Sequence, residues 1–455
     1  MIRPGRQKGK TGVRHTEGIL VLGFLGMILL GTVLLALPGA TKNHRSIGVF
    51  DSLFTATSAV CVTGLVAVDT GSTFSIFGQI VLLVLIQVGG LGFMVFATML
   101  MVALGRKISI RGRMLIRESM NGASLSDLSR LTGLYLLLSL AIESVGTVLL
   151  SLRFIPLFGW RHGIWMAVFH AVSAFCNAGF DLFGNYASLT AFSRDPLVLL
   201  TVAVLIILGG LGFAVILEVL RNRQGFRNLT LHTRIVLIST LGLLLAGTVF
   251  YWLAERTNAE TLAGLGEGEK VLNAFFQSVT MRTAGFNSFD LSRFRDGSKL
   301  FSSVLMTIGA SPASTGGGIK TTTFAALSLL ILSVVRGEHE INVARRRLSI
   351  DIARRALAVA VLFMTTMVAG TLIISFIENG RFPLVDILFE ASSAMGTVGV
   401  SALGTPALRP ASRAVLLPMM FLGRVGPLTL AIAVANRQGR LASASRYPEE
   451  RIMIG

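Results

Sequence analysis

The chain has 455 residues, 53% of them hydrophobic and only 14% charged, and its mean hydropathy of +0.72 excludes an ordinary water-soluble globular protein. A net charge of +18 would point to nucleic acid in a soluble chain, but here the basic residues lie between apolar runs. They read as membrane topology with some contact to anionic lipid, and nucleic acid is excluded.

Residues 1–17 are a basic N-terminus without a small-residue cleavage site, so the first apolar run is expected to stay as a helix. Apolar runs follow at 18–38, 76–104, 131–152, 196–220, 233–254, 300–335, 353–377 and 411–435, each long enough for a hydrocarbon core of about 30 Å. Arginine and lysine cluster before the first run and after the second, fourth, sixth and eighth, for instance Arg106, Arg223, Arg345 and Arg437. By the positive-inside rule both termini are cytoplasmic. The predicted fold is an all-α polytopic membrane protein with eight transmembrane helices. It divides into repeats at 18–104, 131–220, 233–336 and 352–436, cytoplasmic loops at 105–130, 221–232 and 337–351, and a cytoplasmic tail at 437–455.

Between the paired spans of each repeat stands a short amphipathic segment, near 50–60, 165–175, 271–281 and 385–395. About eleven helical residues reach only some 16 Å, half of a membrane. Each segment holds a phenylalanine ten residues before a glycine: Phe54 and Gly64, Phe169 and Gly179, Phe275 and Gly285, Phe389 and Gly399. The copies lie 115, 106 and 114 residues apart, which predicts four span, half-helix, span modules in pseudo-fourfold arrangement around one pore. The chain after each half-helix must return as irregular backbone, tolerated at membrane depth only inside protein or beside water. Those stretches are Val62-Thr63-Gly64-Leu65, Asn177-Ala178-Gly179-Phe180, Thr283-Ala284-Gly285-Phe286 and Thr397-Val398-Gly399-Val400. Their main-chain oxygens are expected to replace the hydration shell of a monovalent cation. Asp51 and Asp386, three residues before their phenylalanines, suit helix starts.

The second spans carry glycine signatures. Gly89-Gly90-Leu91-Gly92-Phe93 and Gly209-Gly210-Leu211-Gly212-Phe213 read as close helix packing. In the third repeat, residues 309–320 contain a proline and the triplet Gly316-Gly317-Gly318, which no continuous helix would choose. A loop at membrane depth below the filter is expected there, and the cation of Lys320 with the polar hydroxyls around Gly316, Gly317 and Gly318 marks it as a functional site. Lys320 can alternatively snorkel to the cytoplasmic surface. Arg424, near the middle of the last span, is expected to pin the glycine loop through its carbonyls or to raise an electrostatic barrier. Arg282 replaces the Cys61, Cys176 and Gly396 of the other filters, and is expected to point outward and pair with Glu390. Cys61 and Cys176 lack metal-ligand spacing and read as packing residues. An intramembrane enzyme is excluded because His170 is isolated and Glu143 and Glu218 fall in different repeats.

Together the four single-glycine filters, the broken third repeat and Arg424 resemble the superfamily of Trk, Ktr and plant HKT potassium transporters, Ktr B-type membrane subunits above all. The resemblance implies a homodimer with one pore per subunit in the bacterial inner membrane. It also implies a cytosolic ring of nucleotide-binding regulator-of-conductance subunits, a gating loop at 309–320 and a gate arginine at Arg424. K+ is the expected transported ion and no organic cofactor is expected. Na+ is the alternative cargo, within a sodium-preferring relative, and the pore subunit of an ATP-driven potassium pump is a further alternative.

Overall fold

The computed structural model describes residues 16–92, 128–222, 225–338, 340–343 and 346–426. Nearly all of the predicted N-terminus, most of loop 105–130, the distal ends of the second and eighth predicted spans, and the tail at 437–455 lie outside those residues.

Apolar sequence without water to hydrogen-bond its backbone has to become helix, and the described chain runs almost wholly as helices. In order they are α1 (Thr16–Ala36), α2 (Val49–Val60), α3 (Ile76–Leu91), α4 (Leu128–Phe158), α5 (Trp160–Phe175), α6 (Pro196–Leu211) and α7 (Phe213–Arg221). Then come α8 (Leu231–Glu255), α9 (Glu267–Thr280), α10 (Asp296–Thr307), α11 (Thr321–Val335), α12 (Ile350–Glu378), α13 (Leu384–Gly396) and α14 (Pro410–Val425). A two-stranded antiparallel hairpin, β1 (Ile341–Val343) with β2 (Arg346–Leu348), lies between α11 and α12.

Among the described residues three helical stretches are long and apolar enough to cross a membrane: Gly133–Phe158, Leu231–Glu255 and Ile350–Glu378. Their outward faces are apolar and exposed, as at Val145, Val148, Leu241, Leu245, Leu372 and Phe376. An apolar belt of that extent marks contact with lipid. The protein is a membrane protein.

Continuous second spans are not what the chain forms. The run at 76–104 ends its helix at Leu91, capped by Gly92 with φ +84°. The run at 196–220 is two helices, α6 and α7, bent by 97° at Gly212, where φ is +90°. The last described span stops at Gly426, again with φ +91°. Of the glycines read as packing, Gly89 and Gly209 pack: a Cβ on Gly89 would run into the Val60 carbonyl and on Gly209 into that of Phe175, and Gly423 of α14 stands likewise against the Met395 carbonyl. Each of those carbonyls stands four residues before the glycine of a phenylalanine-to-glycine segment: Gly64, Gly179 and Gly399. The signature therefore serves two purposes, close approach at its first glycines and a helix break at its last.

Each short helix is fastened to a second helix of the preceding set or to its lead-in. Trp165 of α5 donates to Gln79 of α3 at 2.7 Å, and Asn273 of α9 donates to the Ser193 carbonyl just before α6 at 2.7 Å. Asp386 of α13 pairs with Lys299 of α10 at 2.6 Å. Asp51 of α2 pairs with Arg413 of α14 at 2.8 Å, joining the last set to the first. Gln79, Lys299 and Arg413 occupy the fourth residue of their helices, one turn inside the start. Asp51 and Asp386, expected at helix starts, thus hold neighbouring helices as well. Two buried glutamates at the ends of long helices order the start of the second helix after them: Glu255 of α8 accepts from Arg295 N–H and Ser298 Oγ at the start of α10, and Glu378 of α12 from Arg409 N–H and Ser412 Oγ at the start of α14.

Candidate cation path

The four glycine segments meet at one place, and their contacts form a closed cycle. A Cβ on Gly64 would stand 2.5 Å from the Ala178 oxygen, one on Gly179 2.9 Å from the Ala284 oxygen, and one on Gly285 2.5 Å from the Val398 oxygen. A Cβ on Gly399 would strike the Thr63 oxygen. The carbonyl before each glycine therefore faces the preceding segment's glycine, the first segment's facing that of the last, and four main-chain oxygens, of Thr63, Ala178, Ala284 and Val398, gather around a common centre. No larger residue fits there.

The backbone takes an unusual form at matching positions in all four segments. The residue two before each glycine is left-handed: Val62 (φ 54°), Asn177 (57°), Thr283 (73°) and Thr397 (51°). The glycines themselves have φ of 94°, 68°, 86° and 93°. Left-handed φ at non-glycine residues costs on the order of 1–3 kcal/mol each and persists only where the surroundings enforce it. Here the short helices enforce it through a hydroxyl in their last turns. Ser58 Oγ accepts the Gly64 N–H and Ser393 Oγ the Gly399 N–H, each at 3.0 Å. Ser173 Oγ donates to the Phe180 carbonyl at 2.7 Å and Thr280 Oγ1 to the Phe286 carbonyl at 2.6 Å. These four hydroxyls were not singled out from the sequence. Serine and threonine inside apolar helices ordinarily bond back to the preceding turn, so their recurrence five or six residues before each glycine was the only signal.

The residues after the glycines, Leu65, Phe180, Phe286 and Val400, are buried packing. Asn177 and Thr283 join side chains at 3.1 Å. The Thr63 and Thr397 hydroxyls are buried without a protein partner among the described residues. On one side of the ring opens a cavity of about 440 Å³ that touches all four glycines and carries Asp69, Asp181 and Asp290. Carboxylates in a concave mouth raise the local concentration of cations.

On the other side the ring meets the broken third repeat. Its neck is closed by a bridge between Ile308 and Ile319, with Gly309 N–H donating to the Ile319 carbonyl at 2.9 Å. The knob at 310–318 sits directly against two of the glycine segments: a Cβ on Gly316 would meet Thr283 Oγ1, and one on Gly317 would meet Thr397 Oγ1. It is held from several sides. Thr315 N–H donates to the Gly209 carbonyl, Ser311 N–H to Gly210 and Gly318 N–H to Gly423, while Thr315 Oγ1 donates to Phe175.

Arg424 donates to the carbonyls of Thr315, Gly89 and Gly90. The predicted pinning is present, with Thr315 in place of the glycine triplet as acceptor. Lys320 folds back and donates to the Gly316 carbonyl at 2.7 Å, at the start of α11, so it does not snorkel to the surface. The expected Arg282–Glu390 pair does not form: Arg282 donates to the Gly309 carbonyl at 3.2 Å, whereas Glu390 accepts from Ser401 and Thr405. Arg282 faces the loop neck, where the Gly309 carbonyl is its acceptor, and the Glu390 oxygens are already taken by two hydroxyls. Cys61 and Cys176 are free and buried, and a Cβ on Gly90 would meet Cys176 Sγ at 2.7 Å, as the packing reading required.

A membrane protein with such a ring of main-chain carbonyls has the geometry of a site for a dehydrated cation. The family described as TrkH, cation transport protein, matches residues 25–443, and the chain belongs to it; it is a cation transporter and not an enzyme. The chain is 40% identical over 437 residues to Ktr system potassium uptake protein B of Bacillus subtilis, covering 96% of each chain. It is 41% identical over 451 residues to the Vibrio alginolyticus protein of the same name, covering 99% of this chain and 96% of that one. The potassium/sodium uptake protein NtpJ of Enterococcus hirae is 36% identical over 439 residues, with 96% of each covered. The crystal structure of the potassium transporter TrkH from Vibrio parahaemolyticus has the same fold, with a TM-score of 0.71 at 18% identity, covering 94% of this chain and 86% of that one.

Proposed function

We propose that the chain takes up K+ through a pore formed by four span, half-helix, span repeats with eight crossings in all. The carbonyl ring at Thr63, Ala178, Ala284 and Val398 serves as its selectivity filter. The closed cycle of glycine contacts carries this reading, because such a ring supplies oxygens and excludes side chains. The names of the relatives, potassium uptake proteins in two cases and potassium/sodium uptake in a third, support K+ as cargo and keep Na+ as a second one.

Cations enter from the outer, acidic mouth, lose water at the ring, and leave inward when the knob at 310–318 swings off the filter and Arg424 releases it. The membrane potential drives them with about 2.3 kcal/mol per charge per 100 mV. In this reading both termini are cytoplasmic, the chain works as a homodimer in the inner membrane, and a cytosolic nucleotide-binding ring acts on the knob. The relatives' description as parts of a Ktr system supports a second subunit.

The test is rubidium uptake by the purified protein in liposomes under an imposed potential, with K+ and Na+ as competitors and with a cytosolic partner added or omitted. Uptake that K+ suppresses far more strongly than Na+ is expected. Deletion of residues 313–318 is expected to raise flux and weaken the partner's effect; unchanged transport after that deletion removes the gate assignment.

A further inference from the structure

Arg282 is the charged member of a position that holds Cys61, Cys176 and Gly396 in the other three segments. It is 8% exposed, with no carboxylate within ion-pair distance among the described residues. Its Nη2 donates to the Gly309 carbonyl at the loop neck, while its Nε–H is buried without a protein partner. Thr240 of α8 presents a second orphan: its Oγ1 is also buried and unpartnered, on a residue 7% exposed. Both side chains line one small cavity of about 20 Å³, together with Val279, Gly210 and Ala310. That volume matches one water, which needs roughly 10–15 Å³ and at least two polar partners.

We propose that Arg282 is a positioning residue that locks the neck of the 310–318 loop to the third filter strand, with one buried water linking its Nε–H to Thr240 on α8. The assignment rests on the filter-and-gate reading above. The third strand is the only one of the four continuous with the loop through a single helix, α10. A guanidinium behind the strand fixes the distance between the Ala284 carbonyl in the ring and the Gly309 carbonyl at the neck. The neck is then the fixed part and the knob the moving part. Loss of the lock lets the third strand shift, so the ring loses its fit to one ion before the protein loses its fold.

The experiment compares Arg282→Met, Arg282→Lys, Thr240→Val and the Arg282→Met/Thr240→Val double variant, each full-length in liposomes, reading K+ against Na+ competition for rubidium uptake alongside thermal unfolding. Arg282→Met is expected to lower the preference for K+ by about fivefold or more, the low end for coupling between linked sites. Arg282→Lys, whose ammonium still reaches a carbonyl, recovers most of it. Thr240→Val shifts the preference the same way by less, and adds nothing in the double variant. A lower melting temperature with unchanged preference in Arg282→Met overturns the proposal. Should that variant fail to accumulate, unchanged preference in Thr240→Val overturns it equally. If Gly285→Ala and the 313–318 deletion are inert as well, the filter-and-gate reading itself has failed.

Discussion

At the scale of single residues, the filter glycines are set by collision. Gly285 has φ of 86° and two neighbouring segments where a Cβ would stand, the Val398 oxygen at 2.5 Å and the Gly179 Cα at 2.7 Å. Gly285→Ala is expected to cut rubidium uptake at least about tenfold, because one methyl both strains the backbone and displaces a ring carbonyl; uptake corrected for the amount of protein in the membrane checks this. Arg424 works by charge and reach. Its guanidinium spans the Thr315, Gly89 and Gly90 carbonyls, three acceptors in two repeats that a neutral amide cannot span together. Arg424→Gln is expected to raise flux in the absence of any partner by several-fold, and an unchanged basal rate would separate this residue from the gate. The glycines and Arg424 were legible in the sequence because each broke a local rule, a helix breaker or a charge inside an apolar run. Ser58, Ser173, Thr280 and Ser393 broke none, and so went unread.

At the scale of elements, the molecule is built by fastening each short helix to the set before it. The Lys299–Asp386 pair is the more buried of the two ion-pair clamps, with side chains 8% and 11% exposed. Removing one partner of a buried pair leaves an uncompensated charge and typically costs about 3–5 kcal/mol. Lys299→Met is therefore expected to lower thermal stability strongly, and Lys299→Met with Asp386→Leu to recover most of the loss, measured by thermal unfolding in detergent. A double variant as unstable as the single one would show that the pair does not act as a unit. The sequence marked Asp386 as a helix-start residue but gave no sign of Lys299, which lies 87 positions away and meets it only through α10 packing on α13. The second spans teach the same lesson. Residues 196–220 are apolar throughout, and hydropathy has no term for a 97° bend at Gly212; the bend follows from the Ala313 carbonyl of the third-repeat loop reaching the Phe213 N–H.

At the scale of the whole molecule, a chain of net charge +18 keeps an acidic mouth. Asp69, Asp181 and Asp290 share the cavity above the ring. Burial pushes the Asp181 carboxyl up to about 7; the Phe183 N–H that it accepts works against this and the Asp69 carboxylate adds to it. A carboxyl raised in this way is charged above that pH and neutral below it. Uptake at low cation concentration is therefore expected to fall as the external pH drops from about 8 to about 6, since protonation removes one attracting charge from the mouth. Asp181→Asn should give the low rate throughout and lose the pH dependence, while uptake at saturating concentration changes little.

The sequence by itself determined the membrane class, the four glycine segments, the breakpoint at 309–320 and the charge of Arg424, because periodicity, length and helix-breaking residues are local properties that a single strand of text carries. The tertiary structure alone decided that the four segments meet, that Arg282 serves the loop neck instead of Glu390, and that Gly92 and Gly212 end helices while Gly89 and Gly209 pack them. Each of those depends on which carbonyl or side chain arrives from another repeat a hundred residues away, and no local pattern encodes an encounter at that distance.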